Sequence, residues 1–195
     1  MISAIILAAG SSQRFGADNK LLADLNGEPL ILHVVENIKN AGIGNIVVVT
    51  GFEADKVKNA LAGQDVTFVS NPDYTSGIAS SITAGIRALP ADCDAVLIAL
   101  GDMPNISPAT IRALVNAFMD AGGQILVPVH NGKRGNPVLW HRDMFAPLLS
   151  ISGDTGGRQV INQHPEMVVE VPVDDPGIHF DIDSKPALDG ITKDA

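Results

Sequence analysis

The stretch "AIILAAGSSQRFG", residues 4–16, decides the fold. Four apolar residues run into small ones, then two serines, an arginine and a glycine. A continuous apolar run, with no polar alternation, marks a strand buried on both faces, as in a parallel sheet. The small residues Ala8, Ala9, Gly10, Ser11 and Ser12 then let the backbone approach a ligand closely. A turn of this kind leaves several N–H groups facing one concavity, which suits an anion. Neither familiar phosphate pattern is present: there is no G-x-x-x-x-G-K-[ST], and Gly10 lacks the second glycine of G-x-G-x-x-G. The competing reading is an ordinary strand-to-helix connection with incidental small residues.

Working outward, "PLILHVVENIKN" (29–40) has helical spacing at Leu30, Val34 and Ile38. "NIVVVTG" (45–51) is a second buried strand, "EADKVKNALAG" (53–63) a short helix with a glycine stop, and "VTFVSN" (66–71) a third strand. A helix starts near Ala79, and "DAVLIALGDMP" (94–104) is a fourth strand. Ser107 and Pro108 open a helix as N-cap and first residue. "QILVPV" (124–129) and "MVVEVPV" (167–173) are further strands. Strands alternating with helices at short intervals predict an α/β fold with a mostly parallel, twisted sheet. No linker divides the chain, so residues 1–195 are expected to form one three-layer, Rossmann-like domain, with 130–165 as an insertion-like stretch beside the sheet. Ligands in such sheets sit beyond the C-terminal strand ends. The richest polar stretches follow Leu7, Val69 and Leu100.

The 195 residues carry a net charge of −9. That opposes binding to nucleic acid or to an anionic membrane, both of which need a basic face. A small phosphorylated ligand stays compatible, because a local pocket of Lys, Arg and backbone N–H can sit inside an acidic shell. Cys93 is the sole cysteine, so disulfides and a Cys-rich zinc site are excluded, and a reducing cytoplasmic setting is expected. The first apolar run has no Lys or Arg ahead of it and is too short to span a bilayer.

Several residue clusters carry chemistry. Arg14 and Lys20 follow the small-residue loop at a reach suited to phosphate oxygens. Asn71, Gly77, Ser80 and Ser81 combine a turn with groups that donate and accept, and so can read a base edge. Gly101 and Asp102 end a buried strand, where a carboxylate suits a hard cation such as Mg²⁺. Gly135-Asn136-Pro137 makes a tight turn, and Gly153, Asp154, Gly156, Gly157 and Arg158 make a flexible, charged loop. "FDIDSKPAL" (180–188) places Asp181 and Asp183 on one face of an extended segment. Taken singly, each has an ordinary structural reading as turn, cap or solvated edge. The five histidines show no metal-ligand spacing, and Trp140 reads as a packing residue.

Taken together, they resemble a family. "LAAGSSQRFGADNK" (7–20) is similar to the signature L-A-[AG]-G-x-[SG]-x-R-[MFL]-G-x-x-K of nucleotidyltransferases, with one extra residue before Lys20. "GNPVL" (135–139) and "GDTGGR" (153–158) resemble motifs of one subgroup, the molybdenum cofactor cytidylyltransferases; Gly157 stands where that subgroup has Ala. "GDMP" (101–104) matches the family's metal position, and "FDIDSKPAL" resembles its closing D-[IV]-[DN]-T-P-x-D-L with Ser184 for Thr and Lys185 inserted.

The resemblance implies that Leu7, Ala8, Ala9, Gly10, Ser11, Ser12, Arg14, Lys20, Asn71, Gly77, Ser80, Ser81 and Gly101 bind nucleotide. It implies that Gly135, Asn136, Pro137, Gly153, Asp154 and Arg158 face the acceptor. Arg14, Lys20 and Asp102 would be catalytic, and Asp102 with Asp181 or Asp183 would hold Mg²⁺ (or Mn²⁺). The implied reaction moves CMP from CTP to a phosphorylated molybdopterin carrying molybdenum, releasing pyrophosphate, with a transient contact to a molybdoenzyme or its chaperone. The rivals are a guanylyltransferase or sugar-phosphate nucleotidyltransferase of the same fold, and a non-catalytic nucleotide or pterin carrier.

Overall fold

The computed structural model describes residues 1–11, 15, 19–121, 123–183 and 188. The opening run forms β1 (Ile2–Ala8). A two-residue turn at Asn26 and Gly27, both at positive φ, joins β2 (Asp24–Leu25) to β3 (Glu28–Pro29). Then α1 (Leu30–Asn40), β4 (Asn45–Thr50), α2 (Ala54–Ala60), β5 (Thr67–Ser70), α3 (Ile78–Arg87), β6 (Ala95–Leu100) and α4 (Pro108–Ala121) alternate, as the apolar spacing predicts. β7 (Ile125–His130), β8 (Lys133–Arg134), β9 (Val138–His141), α5 (Phe145–Leu149), α6 (Arg158–Gln163) and β10 (Val168–Pro172) complete the described strands and α-helices, between which lie short 3-10 turns such as Pro176–His179.

The sheet runs β10-β7-β9-β6-β1-β4-β5, with β8 paired to β7. β1 pairs in parallel with both β4 and β6, so the chain reverses its direction of travel across the sheet beside β1. A crevice opens at such a reversal, beyond the strand ends, and the loops after β1 and β6 flank it. β10 and β7 are parallel, but β9 lies antiparallel between β6 and β7. This corrects the placement of residues 130–165 beside the sheet: the stretch supplies an internal strand. Its short "VLWH" follows a proline turn and carries no periodic signal.

Side chains alternate along β1, and so build two cores. Ala4, Ile6 and Ala8 pack with Leu30, Val34 and Ile38 of α1 and with Ile111 and Leu114 of α4. Ile5 and Ala9 pack on the other face with Ile82 of α3, Trp140 of β9 and Leu148 of α5. Full burial of each large aliphatic side chain is worth about 1.5–3 kcal/mol. Helices on both faces make three layers. At α4 the Ser107 hydroxyl accepts from the Thr110 amide at 3.2 Å, as its N-cap reading requires. Among the described residues, no helix is long and apolar enough to cross a membrane.

Candidate active site

Two cavities open side by side at the C-terminal ends of β1 and β6. The smaller, of about 460 Å³, is lined by Leu7, Ala9, Gly10 and Ser11 of the first loop, with Lys20, Gly77, Ser81 and Asp102. The larger, of about 1000 Å³, is lined by Gly135, Asn136, Asp154 and Arg158. Leu7, Ile78, Leu100 and Asp154 border both, so one wall separates two chemically different spaces.

The sequence-predicted nucleotide residues therefore divide. Seven of them line the smaller cavity: Leu7, Ala9, Gly10, Ser11, Lys20, Gly77 and Ser81. Ala8 instead turns into the α1 core. Gly101 donates its amide to the Leu7 carbonyl at 3.1 Å and ties the ends of β6 and β1 together. Asn71 is buried, and its side chain is spent inside the loop. It donates to Ser80 Oγ at 2.8 Å and Ser81 Oγ at 3.0 Å, and accepts from the Asp73 amide at 3.0 Å. Ser80 Oγ in turn donates to the Gly77 carbonyl at 2.8 Å. Asn71 and Ser80 thus shape the loop, and neither lines the smaller cavity. Ser12 and Arg14 lie outside the described residues. Tyr74 and Thr75, beside this cavity, escaped the sequence reading.

Beyond Leu100 lies the acid cluster. Lys20 Nζ is 2.5 Å from Asp102 Oδ2 and 3.0 Å from Asp183 Oδ1. Burial pulls the Lys20 ammonium's pKa down, but Asp102 and Asp183 outweigh it and hold the pKa above the usual lysine value. Lysine 20 is thus locked as a cation among the carboxylates. Oxygens of Asp102, Asp181 and Asp183 come within 4.8 Å of one another. Asp102 Oδ1 is buried and has no hydrogen-bond partner among the described residues. A buried carboxylate oxygen without a partner is costly. Three carboxylates and one ammonium formally leave two negative charges, which a divalent cation would cancel. The donors are all oxygens, as Mg²⁺ and Mn²⁺ prefer. The residues fit such an ion, and both late aspartates belong to the cluster.

The larger cavity has an apolar floor that includes Ile98, Val127, Val138 and Trp140, and a polar rim that includes Arg134, Asn136 and Arg158. Arg134 Nε lies 2.7 Å from Glu170 Oε1. Arg134 is absent from the residues expected to face the acceptor; its place immediately before the Gly135-Asn136-Pro137 turn was the available signal. Gly153 and Pro137 do not border the cavity. Gly153 accepts from the Ala79 amide at 3.1 Å, and Pro137 follows a cis peptide. Asp154 Oδ1 accepts from the Ile78 amide at 3.1 Å, so the charged loop fastens the first turn of α3. A side chain at Gly77 would place its Cβ 2.4 Å from the Gly153 backbone, so the two loops touch through glycine. At Gly157 a Cβ would lie 2.6 Å from Trp140 Cζ2. The Gly that replaces the subgroup's Ala thus makes room for the indole.

A doubly covered α/β sheet, a small-residue loop and an acid cluster at the reversal beside β1 define a nucleotide-handling domain. More particularly, the chain belongs to the MobA-like NTP transferase domain family, which it matches over residues 4–168. It is 28% identical over 186 residues to the molybdenum cofactor cytidylyltransferase of Escherichia coli, covering 94% of this chain and 91% of that one. It is 27% identical over 191 residues to the nicotine blue oxidoreductase of Paenarthrobacter nicotinovorans, covering 94% and 92%. The bifunctional protein GlmU of Kineococcus radiotolerans is 35% identical over 126 residues, which span 63% of this chain but only 26% of GlmU. Among solved structures, a nucleotidyl transferase from Methanothermobacter superposes with a TM-score of 0.86 at 26% identity, covering 100% of this chain and 97% of the other. A Mycobacterium tuberculosis protein, solved in complex with manganese, shares the fold at a TM-score of 0.82 and 22% identity, covering 100% and 99%.

Proposed function

We propose that the protein is a divalent-metal-dependent nucleotidyltransferase that moves CMP from CTP to the phosphate of a molybdopterin-type acceptor. The observation that carries this reading is the wall shared by the two cavities. A triphosphate in the smaller space and an acceptor in the larger one would meet beside Leu7, Leu100 and Asp154. Binding at adjoining sites turns a bimolecular step into an effectively unimolecular one.

An acceptor phosphate oxygen attacks the α-phosphorus in line, the α–β bridging P–O bond breaks, and pyrophosphate leaves. A phosphate nucleophile is already ionised near neutral pH, so no strong general base is needed. The loop amides at Gly10 and Ser11 would cradle the triphosphate, with Lys20 and Arg14 offsetting its charge. Asp102, Asp181 and Asp183 would hold Mg²⁺ or Mn²⁺, which supplies Lewis-acid stabilisation of the phosphate oxygens. The manganese complex of the Mycobacterium tuberculosis protein supports that choice of metal class. Arg158 and Arg134 would bind the acceptor phosphate and so aim it across the wall.

The apolar floor favours an acceptor with a flat, conjugated body over a sugar phosphate, whose hydroxyls would meet few partners there. A non-catalytic carrier has no use for a buried carboxylate oxygen awaiting a cation. A transient contact with the recipient molybdoenzyme, or with its chaperone, belongs to the same reading. The test is pyrophosphate release with each NTP, with and without molybdenum-loaded molybdopterin. Release with CTP alone among the NTPs, dependent on the pterin, is expected. Equal use of GTP would transfer the assignment to a guanylyltransferase. Pterin-independent oxidoreductase turnover, with no pyrophosphate formed, would replace it with a redox activity like that named for the Paenarthrobacter relative.

A further inference from the structure

After β10 the chain passes through residues 173–183, which line neither cavity but are fastened to elements that do, and these fastenings are specific. Val173 donates to the Val129 carbonyl at 2.9 Å. The Ile178 carbonyl accepts from the Asn136 amide at 3.0 Å, in the turn that lines the larger cavity. The Ile182 amide donates to the Asp102 carbonyl at 3.0 Å, between the two late aspartates. Ile178 and Ile182 are buried, whereas Asp181 is exposed. One segment thus touches the acceptor turn at one point and the acid cluster at the next.

A single carboxylate anchors this segment. Asp175 is 7% exposed. Its Oδ2 accepts from the Ser107 amide at 2.9 Å and the Thr110 hydroxyl at 2.6 Å, at the start of α4. Its Oδ1 accepts from the Gly177 amide at 2.9 Å, which folds the segment back. Three donors hold one buried anion, two at the start of α4 and one within the segment itself.

We propose that Asp175 is a positioning residue for both substrates' sites. By locking residues 176–183 to the N-terminus of α4, it sets where Asp181 and Asp183 stand relative to Asp102, and where Asn136 stands in the acceptor turn. The consequence for the metal rests on the proposed reading of the acid cluster; the consequence for the acceptor turn does not. Asp175 touches neither a ligand nor the reacting atoms. Supporting groups of this kind typically change metal affinity by about 10–100-fold when removed.

The experiment compares the full chain with Asp175→Ala, Asp175→Asn and, as a control, Val57→Ala in the distant core of α2. Backbone hydrogen exchange is followed at Asn136 and Ile182, and Mn²⁺ affinity is measured by paramagnetic resonance without nucleotide. In Asp175→Ala the two amides exchange faster while those of α1 do not, and Mn²⁺ binds about tenfold or more weakly. Asp175→Asn, which keeps one accepting oxygen, falls between. Val57→Ala lowers thermal stability and leaves Mn²⁺ affinity alone. Unchanged exchange at Asn136 and Ile182 in a folded Asp175→Ala protein overturns the proposal, as does an equal loss of Mn²⁺ affinity in Val57→Ala. Failure of the unaltered chain to bind Mn²⁺ overturns the metal reading instead, and exchange at Asn136 still decides the anchor.

Discussion

The Lys20 ammonium stands 2.5 Å from the Asp102 carboxylate, each side chain only 16% exposed, and 3.0 Å from Asp183. The lysine expected to face phosphate thus sits at the junction of phosphate space and acid cluster. It answers to both.

Replacing Lys20 should therefore damage turnover more than nucleotide binding. Lys20→Met keeps the bulk and removes the charge. Losing one preorganised electrostatic group typically costs about 10²–10³ in kcat. Asp102→Asn should abolish turnover and Mn²⁺ binding while the protein stays folded, because Lys20 keeps Asp183 as partner. Pyrophosphate release and Mn²⁺ titration report the two effects. Turnover by Asp102→Asn at saturating Mn²⁺ would sink the mechanism and favour the carrier reading.

The same pair has a stability signature at high pH. Burial opposes the charged lysine, yet the two carboxylates leave its folded pKa raised. A raised lysine pKa contributes stability below the unfolded value of about 10.4, and that contribution fades as pH rises through the folded value. Urea midpoints of wild type and Lys20→Met should therefore converge above about pH 10.4. A gap that stays constant across that range would show that the charge contributes nothing to the fold.

Asp175 has the opposite sign. Burial pushes its carboxyl up, but hydrogen bonds from Thr110, Ser107 and Gly177 bring the net shift below the usual aspartate value. Its contribution is present above the unfolded pKa of about 3.9 and is lost as pH falls through the lower folded value. Wild type should exceed Asp175→Asn in thermal stability at neutral pH, and the difference should shrink below about pH 4. Calorimetric scans across the acid range measure it, and a difference that persists at the lowest pH would assign the loss to packing alone.

Legibility followed burial and period. β1, β4 and β6 are apolar on both faces, and α1 and α3 show their 3.6-residue stripes, so these elements were readable along with the loops they aim. The acid cluster was readable because Asp102 ends a buried strand, although Asp181 and Asp183 could not be separated, and both belong to it. β9 was not readable: four residues behind a proline turn carry no period, and antiparallel insertion depends on partners distant in sequence. The β2–β3 hairpin was missed although "NG" at 26–27 is a strong short hairpin signal. The part Asn71 plays within its own loop was not readable for a physical reason. An amide able to read a base can equally hold its own loop together, and the hydrogen bonds it makes there depend on residues up to ten positions away.

Trp140 and Gly157 form a matched pair. A methyl at 157 would lie 2.6 Å from Trp140 Cζ2 and 3.1 Å from Cη2, in the outer ring of the indole. Both residues line the larger cavity. Overpacking of this kind typically costs about 1–3 kcal/mol. Gly157→Ala should lower stability by that order and raise the acceptor KM, with CTP affinity unchanged. Trp140→Phe removes the clashing ring edge, so the double variant should recover most of the stability. A double-mutant cycle on melting temperature and acceptor KM tests this, and simple additivity would show that the two side chains do not compete for space.

Arg134 and Arg158 give the last prediction. Arg134 is held by Glu170 at 2.7 Å, with the two side chains 45% and 52% exposed. An exposed pair of this kind contributes little to stability, so Glu170 acts as a tether the arginine can leave. Two guanidiniums on the rim of an apolar cavity suit an anionic tail on a flat body. Arg134→Ala and Arg158→Ala should each raise the KM for molybdenum-loaded molybdopterin by roughly ten- to a hundredfold, as expected for loss of a charge-assisted hydrogen bond, and spare CTP affinity. Glu170→Gln should leave thermal stability unchanged and lower that KM, because the arginine no longer has a rival anion. Steady-state kinetics with each substrate varied in turn separates the cases. Damage to CTP affinity equal to that on the acceptor would move both arginines into the nucleotide site and leave the larger cavity without its proposed ligand.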